Sequence, residues 1–500
     1  MKAASDGNLG ADLSPATARA RGGGKVVAEE DPKPKKKRRK HKKELRICLE
    51  NCKYALVKCC SEEMGFRQVD EEDVWNLQWI DTSVSVERVM KMKNFQKINH
   101  FPGMVEIARK DKLAHNLGMM QKLFAKEFSF FPVTFRLPAD ANELRQHAKR
   151  KRKTKITYIV KPHSGCQGKG IFLTQSLDKL NMNDNVVVQT YVRNPLLIDG
   201  LKFDLRVYAL VTQCDPLRIF IFKEGLGRFA TKEYTRPTDT NIDETLMHLT
   251  NYSLNKHSDD FVQNQDADNM NEGSKRSIES IMNWLTEHGH DAGAVWADIG
   301  LLISKTVIAI QPILAHANRT CFGKDANNNC FEILGFDVLL DHKLKPWLIE
   351  VNHSPSFNTD SPMDTKIKGQ LIKDSINLAN IKSSDLKKYS KELKVGFAAR
   401  NYTPSSADPS PHSLSEQAAD VGRPGLPYSA TRAMLSAQER QKKAQERARD
   451  LHEEKWRGDF TLMCVACVHA WALCVGTIMS TVLVQNPLST QQKRFMPMRY

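Results

Sequence analysis

Two carboxylates set inside two of the most apolar stretches constrain this chain more than any other feature. EILGFDVLL (332–340) and KPWLIEV (345–351) flank the short segment DHKL (341–344) and predict an antiparallel β-hairpin. Counted from a centre midway between Lys343 and Leu344, Asp337 falls directly opposite Glu350. Side chains alternate faces along a strand, so Glu350 and Asn352 share one face. Two facing acids repel, and a buried unpaired carboxylate is costly, so a positive group between them is expected. Asp337, Glu350 and Asn352 together offer hard oxygen donors of the kind Mg²⁺ takes beside nucleotide phosphates. The competing reading is an exposed hairpin with incidental acids.

A second constellation lies upstream in TYIVKPHSGCQGKGI (157–171). A strand-like run delivers Lys161, a loop with Gly165, Gly168 and Gly170 follows, and an extended pattern resumes. Glycines let backbone N–H groups close over phosphate oxygens, while a strand-borne ammonium supplies a point charge. Lys169 is not followed by Ser or Thr and no helix start follows, which excludes a Walker loop and leaves a flap between two strands. VVVQTYV (186–192) reads as a buried strand emerging with Gln189. LKFDLRVY (201–208) sets Lys202, Asp204 and Arg206 at period two, hence on one face. The bland account of that row is a surface ion-pair ladder. GLGRFAT (225–231) offers Arg228, and HLTNYSLNK (248–256) offers Thr250, Asn251, Tyr252 and Ser253. Two basic side chains, a glycine flap and a three-oxygen hairpin together favour a nucleotide–Mg²⁺ site.

The chain's 500 residues and 41% apolar content suffice for a sizeable core and exclude wholesale disorder. Strands are expected at 157–160, 170–174, 185–191, 205–213, 217–222, 331–340 and 345–351. Helices are expected at 112–128 and 277–286, with one long apolar helix around 296–317, the text of an α/β or α+β enzyme. Residues 1–43 read as a disordered basic arm, 44–394 as the catalytic domain and 395–429 as a Pro/Ser-rich linker. Residues 430–458 read as a charged helix, either solvated or docking on an acidic surface. Residues 460–484 carry no charged side chain and as a helix would span roughly 37 Å, enough to cross a hydrocarbon core. That apolar tail (459–500) is read as a membrane anchor or as the product of a shifted reading frame. Cys464, Cys467, His469 and Cys474 make only a weak zinc signal.

The net charge of +16 is concentrated: residues 33–43 hold nine basic side chains and 149–155 six, neither with an acid. Both runs suit a polyanionic partner. The first also reads as a nuclear-import or nucleic-acid patch, although no nucleic-acid reading module accompanies it. Eleven scattered cysteines and the absence of an apolar leader in the first thirty residues point to the reducing cytosol.

The segments KPHSGCQGKGI, KFDLRVY, GLGRFAT, HLTNYS, CFEILGFDVLLD and PWLIEVNHSPSF resemble those of the tubulin tyrosine ligase-like family, over about residues 75–378. The likeness is strongest to its polyglutamylase branch, in particular to α-tubulin-preferring members that elongate glutamate side chains. The resemblance implies an ATP-grasp fold with mixed and antiparallel sheets. It implies ATP contacts from Lys161, Gln167, Gly168, Gln189, Thr190, Tyr191, Val192, Lys202, Phe203, Asp204, Thr250 and Asn251. Asp337, Glu350 and Asn352 would ligate two Mg²⁺ ions. Arg228, Tyr252, Ser253, Lys275 and His353 would bind free L-glutamate, and Arg206, Lys161 and Glu350 would serve catalysis. His163 stands where related polyglutamylases often carry an acid.

The implied activity is ATP-dependent ligation of glutamate to acidic tubulin tails, on α- and also β-tubulin, by a monomer at cytoplasmic microtubules or the cilium. The rivals are a glycine or tyrosine ligase of the same fold and a microtubule-binding pseudoenzyme. Arg228 speaks for an acidic donor, since glycine brings no side-chain carboxylate to pair with it.

Overall fold

A computed structural model describes residues 44–150, 155–163, 165, 168–264, 271–322, 329–387, 389, 391 and 428–463. Gln167, the basic arm, most of the linker and most of the apolar tail lie outside the described residues. Three sheets organise the rest. The first is a small parallel sheet of β1 (Leu45–Cys48), β2 (Phe66–Val69), β3 (Leu77–Gln78) and β4 (Lys97–Ile98). The second is antiparallel and forms the flap: β5 (Thr134–Arg136), β6 (Tyr158–Pro162), β7 (Phe172–Thr174) and β8 (Val186–Thr190), in the order β5-β8-β6-β7.

The third sheet is antiparallel and holds β9 (Leu197–Ile198), β10 (Leu201–Cys214), β11 (Leu217–Glu233), β12 (Lys275–Ser277), β13 (Glu332–Leu340), β14 (Pro346–Asn352) and β15 (Phe460–Leu462). Its main path runs β12-β11-β10-β13-β14. The longer helices are α1 (Ala55–Glu63), α2 (Lys110–Leu123), α3 (Ala141–Arg150), α4 (Ile278–Glu287), α5 (Ala292–Ile308), α6 (Gln311–Phe322), α7 (Pro362–Leu378) and α8 (Tyr428–Trp456). Ser277, Asp291 and Ser361 cap α4, α5 and α7 by accepting from backbone N–H groups of the first turn.

Period-two alternation along β10 shows how this sheet creates a site. Phe203, Leu205, Val207, Ala209 and Val211 enter one core, which also holds residues of α4, α5 and α6. Tyr208 and Leu210 point the other way, into a core shared with α1 and α7. On that second face the sheet is apolar at one end and turns ionic at the other, where Asp204 and Arg206 replace the hydrocarbon. Arg206 and Asp204 pair in register with Asp337 and Arg228, and Asp337 pairs with Glu350. A row of charges therefore crosses four strands on one face.

Three expectations are corrected. The apolar stretch around 296–317 is two helices, α5 and α6, bent by 52°. Pro312, in the first turn of α6, has no N–H to continue the ladder from α5. The apolar tail does not begin as a helix: Phe460–Leu462 is a strand paired with β11, and Phe460 is buried near Phe220 and Phe222. Among the described residues no single helix is long and apolar enough to cross a membrane. The charged helix α8 docks on its own chain, where buried Glu453 accepts from Arg218 Nε at 3.0 Å. The rival reading of Lys202, Asp204 and Arg206 as a surface ladder falls away, since Lys202 and Asp204 are buried.

Gly225 on β11 shows how tightly the sheet is built against α4. A Cβ there would lie 2.3 Å from the backbone oxygen of Arg206 and 2.6 Å from Ile278 Cδ1. A backbone oxygen cannot swing aside, so Gly225→Ala is expected to destabilise the fold by about 1–3 kcal/mol. A denaturant titration checks this; an unchanged midpoint would contradict the packing described.

Candidate active site

The flap and the third sheet enclose a cleft with about 660 Å³ of empty space including its mouth. That volume suits a small-molecule ligand. Its walls carry Lys161, Gln189, Thr190, Tyr191, Val192, Lys202, Asp204, Arg228, Thr250, Asn251, Asp337 and Glu350. Segments more than a hundred residues apart in sequence thus converge.

The hairpin delivers Asp337 opposite Glu350, by a route the sequence does not display. Leu340, Leu339 and Val338 pair with Pro346, Trp347 and Leu348, a register centred on Lys343. Continued strictly, it would place Ile349 opposite Asp337. A bulge at Ile349 inserts one residue and brings Glu350 into place. The bulge also frees a backbone acceptor: Lys161 Nζ donates to the Ile349 carbonyl at 3.3 Å and to Gln189 Oε1 at 2.9 Å.

The positive groups that offset Asp337 are arginines on the β10 and β11 side of it, across β13 from Glu350, and not a charge lying between the two acids. Arg206 donates through Nε to Asp337 Oδ1 at 2.5 Å and through Nη2 to Oδ2 at 3.1 Å. Arg228 Nη2 lies 2.7 Å from Asp337 Oδ2, and its Nε donates to Asp204 Oδ1 at 3.0 Å. Burial alone would raise the Asp337 carboxyl; the two guanidinium groups outweigh it and hold Asp337 below the usual carboxylate range. Glu350 is less engaged. Lys110 Nζ stands 3.7 Å from it and the Asn352 amide 3.4 Å.

The charge argument for a metal is therefore met in part by the protein's own arginines. Among the described residues no group of three or more His, Cys, Asp or Glu is arranged for a metal ion. Two carboxylates and an amide oxygen on adjoining strands still fit a magnesium ion that draws its remaining ligands from phosphates and water.

Two lysines are buried without a carboxylate in direct contact. Lys202 Nζ donates to Tyr191 Oη at 3.0 Å and to the His248 carbonyl at 2.6 Å, and stands 4.5 Å from the centre of the Tyr191 ring. Burial pulls Lys202 down to about 7 and Lys161 down to about 8. Gly168 adopts a left-handed φ of +77°, and a Cβ there would meet Leu254 at 2.7 Å and Asn251 at 3.3 Å. This close approach is what glycine permits in the flap loop.

Other sequence candidates sit elsewhere. Phe203 faces the opposite, helix-covered side of the sheet, stacked on Phe229 at 5.1 Å, so only its backbone can address the cleft. Tyr252 and Lys275 line a smaller adjoining cavity with Asp360, and Ser253 follows Tyr252 on a short helix. His353 lies away from the cleft wall, with Nε2 2.7 Å from Ser83 Oγ and its ring 5.9 Å from that of His100. Lys110 escaped the sequence reading. Its Nζ donates to the Gly165 carbonyl at 2.7 Å, tying the flap loop to the acid hairpin. The only sequence signal for it is an ordinary basic helix start.

A flap and a floor of antiparallel strands, each sending a buried lysine into the cleft between them, define the ATP-grasp class of fold. The tubulin-tyrosine ligase family matches residues 88–388. The chain is 52% identical over 352 residues to tubulin polyglutamylase TTLL6 of Mus musculus, covering 70% of this chain and 42% of that protein. It is 50% identical to tubulin polyglutamylase TTLL13 of Mus musculus, over 71% of this chain and 43% of that protein. A probable beta-tubulin polyglutamylase of Tetrahymena thermophila is 46% identical, over 68% of this chain and 29% of that protein. The chain belongs to the tubulin-tyrosine ligase family. It spans about two fifths of the length of the mouse relatives it matches.

Proposed function

We propose that this chain is an ATP-dependent polyglutamylase that ligates glutamate to glutamate side chains of tubulin tails. The observation that carries the reading is the cleft itself: Lys161 and Lys202 meet the Asp337–Glu350 pair across one ligand-sized space. Relatives named as tubulin polyglutamylases support the choice of substrate.

A carboxylate is a poor acyl electrophile, so the reaction proceeds through an acyl phosphate. An oxygen of the acceptor carboxylate attacks the γ-phosphorus of ATP and ADP leaves. The amine of free glutamate then attacks the acyl carbon, the amide bond forms, and phosphate departs as the amine gives up a proton. Lys161, Lys202 and Arg206 offset the charge on the phosphoryl oxygens, and Gln189 to Val192 with Thr250 and Asn251 orient the nucleotide. Magnesium, held by Asp337, Glu350 and Asn352, would neutralise phosphate charge there. Arg228 and Lys275 receive carboxylates of the incoming amino acid. Elongation on α-tubulin is the preferred assignment, at microtubules, and the basic stretch around Lys149 and Arg150 concentrates acidic tails there. One relative is named for beta-tubulin, so both tails belong in the test.

Microtubules offered ATP with glutamate, glycine or tyrosine test the reading. ADP release requiring both microtubules and glutamate is expected; release with glycine or tyrosine alone would overturn it.

The buried lysines also predict a pH signature. Lys202 at about 7 and Lys161 at about 8 are partly neutral in mildly alkaline solution. Adjacent phosphates favour the ammonium forms, so nucleotide binding takes up protons and affinity falls as pH rises above about 7. Calorimetry at pH 8 in buffers of different ionisation enthalpy should show net uptake; identical heats would contradict it.

A further inference from the structure

Helix α7 carries a wholly buried acid that the reaction outlined above does not use. Asp364 Oδ2 accepts from Lys275 Nζ at 2.8 Å and from Ser361 Oγ at 3.2 Å. Its Oδ1 lies 2.7 Å from Lys368 Nζ, one helical turn on. Ser361 caps the same helix by accepting from the Asp364 N–H at 3.2 Å, so the start of α7 and the position of the acid are set together.

What the acid fixes is the reach of Lys275. That side chain starts from β12, directly opposite Arg228 on β11, and so leaves the sheet on the same face as a guanidinium of the cleft wall. Its ammonium stands 3.8 Å from the centre of the Tyr252 ring. Asp360 stands 4.0 Å away and is considerably more exposed. A lysine is a point charge on a four-carbon stem with several rotors, and a free one spreads its charge over a wide arc. Held by a buried carboxylate beneath and an aromatic face beside it, the ammonium is placed before any ligand arrives. Burial alone would raise the Asp364 carboxyl, but Lys368 and Lys275 outweigh it and keep the group anionic.

We propose that Asp364 is the positioning residue of the amino-acid pocket, holding Lys275 so that its ammonium and the Arg228 guanidinium together receive the carboxylates of a dicarboxylic amino acid. The inference rests on the reading that Lys275 meets the incoming glutamate. A pocket organised this way discriminates at the donor amino acid and leaves nucleotide binding alone, because Asp364 lines the nucleotide cleft nowhere.

The test is steady-state kinetics of the full chain on microtubules, with glutamate and ATP varied in turn. Asp364→Asn should raise the KM for glutamate about tenfold or more, the worth of a charged hydrogen bond, with the KM for ATP within about twofold of the unaltered chain. Should that variant not fold, Ser361→Ala carries the test, removing one donor from the same carboxylate while both lysines remain. It should raise the glutamate KM about threefold or more, again with ATP unaffected. An unchanged glutamate KM, or equal rises for glutamate and ATP, would overturn the inference alone. No incorporation by the unaltered chain would overturn the ligase reading and this inference with it.

Discussion

Replacing Glu350 with Gln is expected to lower ATP-dependent glutamate incorporation by about 100-fold or more, the scale of losing one preorganised charge at a transition state. The fold should survive the change. Glu350 is partly exposed, Lys110 Nζ stands 3.7 Å from it without a short ion pair, and glutamine has the same shape. Asp337, by contrast, is already held by two arginines, so Glu350 is the carboxylate with capacity to spare at the hairpin. The bulge at Ile349 exists, on this account, to bring that carboxylate opposite Asp337. Incorporation assays and a melting curve on one preparation check both halves. Activity within a few-fold of the unaltered chain would remove Glu350 from the mechanism, and a large fall in melting temperature would recast it as structural.

The second large effect is on stability. Arg228→Met should destabilise the chain by about 3–5 kcal/mol, the cost of leaving buried acids without their counter-charge. Among the described residues Arg228 is the only side chain with ion pairs to both Asp204 and Asp337, and all three are largely withdrawn from solvent. The sign of the pH dependence follows from Asp337, whose folded-state carboxyl is held below its unfolded value. Its contribution is complete above the ordinary aspartate range, near pH 4, and is lost as pH falls through the lowered folded value. The gap between variant and unaltered chain should therefore be widest near neutrality and shrink in acid. Denaturant titrations at several pH values measure it, and a gap independent of pH would show that lost packing, not lost charge, is responsible.

How much of this was legible in the sequence differs from element to element. The hairpin, the flap and the two long strands of the third sheet announce themselves through period-two alternation and punctuating glycines. The facing of Asp337 and Glu350 was legible as well, though not its cause, since counting from a turn cannot reveal an inserted residue such as Ile349. The short parallel strands β1 to β4 have two to four residues each, too few for any period to show. Arg228 reaching across β10 to Asp337, and Lys110 closing on Gly165, depend on the tertiary path, which no local pattern encodes. Asp364 was hidden for a related reason: an acid in the first turn of a helix looks like ordinary capping, and only its burial against two lysines marks it out. The joining of α8 and β15 to the body rests on Glu453 and Phe460, two residues inside stretches whose composition suggested a solvated helix and an apolar tail.

The most direct measurement of the central claim is recovery of tail peptides from microtubules incubated with the chain, ATP, Mg²⁺ and isotopically labelled glutamate. The account predicts labelled glutamate in amide linkage to glutamate side chains of the tail, dependent on ATP and absent with Glu350→Gln. Labelled glycine or tyrosine in its place, or microtubules that bind the chain and remain unlabelled, would contradict it.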